Sequence, residues 1–115
     1  MQALSPPETA LLAAVDAAPM LGQVQAWSAL NTGTGNLAGL AAQVALLADG
    51  FAALPGEVSL ESPAPVTAMA ADGKEVAVEY GKHLVLRVRP DAARRLLLTG
   101  HMDTVFPASH PFQQQ

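Results

Sequence analysis

The stretch Leu96-Leu97-Leu98-Thr99-Gly100-His101-Met102-Asp103-Thr104-Val105 decides how the chain is read. Three consecutive leucines are the pattern of a short strand buried on both faces, as in a parallel sheet. Ligands in open α/β sheets gather just beyond the carboxyl ends of the strands, where Thr99, Gly100, His101 and Asp103 would fall. Positions two apart in extended backbone face the same side. His101 and Asp103 are thus expected to share one cavity. An imidazole is a good zinc ligand, and a carboxylate beside it can orient the ring and raise its basicity.

Upstream, Leu37 to about Leu54 is the clearest helix. Leu37, Leu40, Ala41, Val44, Leu47, Ala48, Phe51 and Leu54 follow the i, i+3, i+4, i+7 rule. Pro55-Gly56 stops it, and Asn36 is placed to cap its start. The preceding loop, Asn31-Thr32-Gly33-Thr34-Gly35-Asn36, lacks the lysine and spacing of a nucleotide-binding P-loop and is assigned a structural role. Ser5-Pro6-Pro7-Glu8 predicts a first helix opened by a capping box and running to about Ala18. Pro19 ends that helix or opens a second, carrying Met20, Val24, Trp27 and Leu30 at helical spacing, with Trp27 expected in the core.

Strand patterns follow the long helix. Val58 and Leu60 alternate within 57–61, and Val66 to Ala70 reads as a short edge strand. Asp72-Gly73 signals a tight turn, after which 75–80 alternates again. His83 to Arg89 is a strand with Leu84, Leu86 and Val88 inward and His83, Arg87 and Arg89 on the polar face. The fold class expected is α/β: N-terminal helices (about 6–30 and 37–54) packed on a mixed, largely parallel sheet (strands about 57–99), with a metal motif at 100–105.

"LLLTGHMDTVFP" together with "LNTGTGNLAGL" resembles the N-terminal part of the dizinc aminoacylase and carboxypeptidase family. That family includes acetylornithine deacetylase, succinyl-diaminopimelate desuccinylase and glutamate-releasing carboxypeptidases. The likeness runs from about Trp27 to Phe112. It implies an incomplete zinc-peptidase-like catalytic domain over 1–115, and zinc-dependent hydrolysis of an amide bond in a small peptide or N-acyl amino acid. It also implies that His101 binds one of two zinc ions and that Asp103 is the catalytic-site aspartate fixing its ring. His110, in the segment after the motif, is read as a loop histidine. The family's remaining carboxylate and histidine ligands follow its His-x-Asp motif, whereas no Asp or Glu follows Asp103 here. The chain is therefore read as the N-terminal portion of such an enzyme, inactive alone. A non-enzymatic α/β binding module, or a subunit completing its site with another chain's ligands, stands as the alternative.

Composition narrows the field. With no cysteine, disulfides and thiolate sites are excluded, and any metal must be held by His, Asp or Glu. The net charge is −4, and all six Lys/Arg lie between Lys74 and Arg95 on or beside strand patterns. That argues against a nucleic-acid partner. The N-terminus lacks the positive region of a signal peptide, and the apolar run from Ala10 to Val15 is too short to span a bilayer. A cytoplasmic protein with no membrane partner is expected, and a homodimer is compatible with the intact enzyme.

Overall fold

The computed structural model describes residues 3–111. Three helices come first: α1 (Pro6–Ala13), α2 (Ala17–Ser28) and α3 (Leu37–Phe51). Four strands follow: β1 (Glu57–Glu61), β2 (Val66–Met69), β3 (Glu75–Val78) and β4 (His83–Arg87). The class is mixed α/β. The strands form two separate antiparallel pairs, β1 with β4 and β2 with β3.

The expectation of a largely parallel sheet is corrected on two counts. Both sheets are antiparallel, and Leu96–Leu98 forms no strand. Each of the three leucines is 84% exposed. A strand buried on both faces needs neighbours on both edges and covering layers above and below. Among the described residues, 95–100 have no strand partner. The one parallel pairing among the described residues is an isolated bridge, Gly33 to Thr104.

Local chemistry shapes the helices. Glu8 reaches back to accept from the Ser5 backbone N–H (2.7 Å) and hydroxyl (2.6 Å). Those bonds, the hydroxyl's first, hold the Glu8 carboxyl below its usual range. The expected run to Ala18 stops earlier because Asp16 caps a new helix, its Oδ1 accepting from Ala18 N–H at 3.0 Å. Pro19 then stands in the first turn of α2, where its missing N–H has no intrahelical partner to lose. Neither α1 nor α2 buries a residue, so the packing of these helices on a sheet is also corrected. Trp27 is half-buried, not a core residue; its ring lies beside Gly50 of α3.

The core sits between α3 and β4. Leu40 and Val44, four apart on one helical face, are its buried apolar residues, with Leu47 and Ala48 half-buried on the same stripe. Gln43 is buried beside them, and its Oε1 accepts no hydrogen bond among the described residues. Gly81 lies against Leu40, where an added Cβ would stand 3.1 Å from the leucine. The β1–β4 register pairs Val58 with Leu86 and Leu60 with Leu84. Arg87 bridges to Glu61 (2.6 Å) and donates to the Ser59 hydroxyl (3.1 Å). The guanidinium's hydrogen bond and charge lower the Glu61 pKa. The β2–β3 hairpin turns at Asp72-Gly73 as its sequence predicts, with Gly73 at φ +81 and Asp72 accepting from Lys74 N–H.

The radius of gyration is 18.6 Å, against about 13 Å for a compact chain of about 100 residues. The elements do not close around one centre. Among the described residues no helix is long and apolar enough to cross a membrane.

Candidate functional site

The loop 31–36 is knotted by its own amides. Asn31 Oδ1 accepts from Gly33 N–H (3.1 Å), while Asn36 Nδ2 donates to the Asn31 carbonyl and Oδ1 (both 3.0 Å). Asn36 Oδ1 accepts from Gly39 N–H at 3.1 Å, which is the expected cap of α3. Short polar side chains satisfying nearby backbone groups shape this loop without a hydrophobic core. Gly39 is required at its position, since a Cβ there would collide with the Asn31 carbonyl.

This loop clasps the segment that carries the His-x-Asp motif. Thr104 N–H donates to Thr32 O (2.8 Å), and Thr34 N–H donates to Thr104 O (3.1 Å). Asn31 Nδ2 adds a bond to Phe106 O (3.0 Å). Thr32 and Gly33 are buried by this contact. A Cβ on Gly33 would come within 2.5 Å of Phe106 O, so only glycine permits the approach. Farther along, the Phe106 and His110 rings meet at 5.0 Å, which places His110 against the loop's aromatic residue.

Asp103 lies at this junction. Thr34 Oγ1 donates to its Oδ2 at 2.9 Å. That bond is the main reason its carboxyl sits below the usual range, with its own backbone N–H and the charge of His101 adding smaller effects. His101 Nδ1 stands 3.0 Å from Asp103 O and 3.3 Å from Asp103 Oδ1. Both neighbours are acceptors, so Nδ1 is the donating nitrogen of the ring and Nε2 is the one turned away from Asp103. The His101 side chain is 85% exposed, leaving Nε2 open to a ligand.

His101 and Asp103 are thus adjacent, as the spacing predicts, but not because a strand presents them. Sequence reading missed Thr34 and Asn31 as partners of the motif. The one signal that pointed at them was the joint occurrence of the two quoted segments; loop composition alone gave none. Among the described residues no three His, Asp or Glu side chains converge on one point. No known family model, curated protein or solved structure matches the chain.

Proposed function

We propose that the chain is the N-terminal part of a cytoplasmic, zinc-dependent hydrolase of amide bonds, acting on a small peptide or N-acyl amino acid. One observation supports this reading above others. Two segments that resemble separate parts of the dizinc aminoacylase and carboxypeptidase family meet in space, linking Thr34, Asp103 and His101. In this relay Thr34 holds the Asp103 carboxylate, and Asp103 holds His101 in the tautomer whose Nε2 can bind a metal.

A catalytic zinc ordinarily takes three protein ligands and a water. His101 offers one, and Asp103 is engaged in orienting it. These residues fit one corner of a zinc centre and do not complete it, so no hydrolytic step is assigned to them. Their own work is positional: they fix an imidazole in space and in protonation.

The test uses protein expressed from the uninterrupted natural reading frame. Zinc-dependent release of amino acid from N-acyl amino acids or short peptides is expected, and His101→Ala abolishes it. Asp103→Asn lowers zinc affinity or activity about 10–100-fold. Full activity in purified His101→Ala contradicts the reading. The exposed leucines at 96–98 favour a second, non-enzymatic reading, a binding module that must be covered by a partner. A zinc-dependent rise in melting temperature that disappears in His101→Ala counts against that alternative.

A further inference from the structure

A cavity of about 1600 Å³ opens between β4 and the chain that follows it. Small-molecule sites measure roughly 300–1,000 Å³, so this space suits a length of polypeptide better than a metabolite. On one side stand Leu84 and Leu86 of β4, with Leu40, Leu47 and Phe51 of α3 behind them. On the other side run Leu96 to Thr99. Among the described residues β4 is paired along one edge only, with β1, and residues 95–100 are paired with no strand. Unpaired backbone beside an apolar floor is the acceptor geometry for an added β-strand.

The charge around this cavity is not that of the whole molecule. Net charge is −4, yet Lys82, Arg87, Arg89, Arg94 and Arg95 all line it, leaving only Lys74 of the six basic residues elsewhere. Asp103, beside His101, is the one acidic residue in the lining. Arg87 is paired with Glu61, whereas Lys82, Arg89, Arg94 and Arg95 make no ion pair among the described residues. Side chains on a strand alternate between two faces. An occupant that meets both the leucine floor and the basic rim is apolar on one face and acidic on the other.

We propose that this cavity accepts an extended peptide segment of alternating apolar and acidic residues, added as a strand along the free edge of β4. The inference goes beyond the hydrolase reading and needs no metal. The occupant's carboxylates meet the unpaired guanidinium and ammonium groups, and its main chain meets the free edge of β4.

The test measures fluorescence anisotropy of a labelled, end-capped heptapeptide of alternating valine and glutamate, added to the whole 115-residue chain. Saturable binding is expected, weaker at high salt. An Arg94→Glu, Arg95→Glu double variant weakens it about tenfold. Both arginines are exposed, so the variant's circular dichroism should match the parent's. N-methylation of alternate peptide amides abolishes binding, because strand addition requires those N–H groups. Absence of saturable binding overturns the proposal, as does equal affinity for a valine–lysine peptide. Undiminished binding of the N-methylated peptide reduces the contact to ionic capture and rules out strand addition. If sedimentation shows a dimer that the valine–glutamate peptide cannot dissociate, a second copy fills the cavity and the proposed occupant is wrong.

Discussion

Leu40 and Leu97 are both leucines at the centre of apolar patterns, and their fates are opposite. Leu40 is 5% exposed, with Val44 one helical turn along and Gly81 against it. Leu97 is 84% exposed in backbone that pairs with no strand among the described residues. Burial of such a side chain contributes roughly 1.5–3 kcal/mol, and only where neighbours exist to receive it. α3 meets its neighbour within the described chain, because it packs on β4. The leucines at 96–98 have a pattern that demands two flanking strands and obtain none among the described residues. An apolar run therefore states a need for partners, not their presence.

This contrast can be broken by mutation. Leu40→Ala is expected to cost about 2–5 kcal/mol in urea unfolding, since it empties the small core. Leu97→Ala is expected to stay within about 0.5 kcal/mol in the same experiment. Equal costs at the two sites would show that Leu97 is buried in solution. Gly39→Ala sharpens the comparison at the loop that anchors α3. Its Cβ meets the Asn31 carbonyl, an overpacking cost of about 1–3 kcal/mol. Over all but the low end of that range it exceeds the gain of about 1 kcal/mol from replacing glycine in a helix. Net destabilisation is expected, and a more stable variant would mean that the loop yields.

What was legible in the sequence was local. Asn36 caps α3 because its side chain needs to reach only to Gly39. Asp72-Gly73 turns the hairpin because glycine supplies the positive φ that the turn requires. Alternation in 57–61 and 83–89 located β1 and β4, although it gave no partner or direction. The break between α1 and α2 is expected at Pro19 and falls earlier, because the Asp16 capping bond competes with helix propagation and starts α2 at Ala17. The Leu96–Leu98 strand failed for another reason: the apolar run is sound, but among the described residues no strand flanks it. Thr34 and Asp103 are separated by 69 positions, and no propensity or period links residues so distant. The adjacency of His101 and Asp103 was readable from a spacing of two. The hydroxyl that fixes Asp103 was not.

The junction between the two motif segments is the central claim, and Asp103 reports on it directly. Its carboxyl is held below its ordinary value of about 3.9, first by the Thr34 hydroxyl. A carboxyl whose pKa is lowered on folding stabilises the fold fully above its unfolded value. That contribution is lost as pH falls through the depressed native value. Thr34→Val removes the donor while keeping a β-branched side chain of similar shape. The decisive measurement is an NMR titration of the Asp103 carboxyl carbon in the native chain and in Thr34→Val. A lower midpoint in the native chain, rising in the variant, is the predicted result. Identical midpoints would mean that Thr34 does not hold Asp103 and that the two segments are not joined as described.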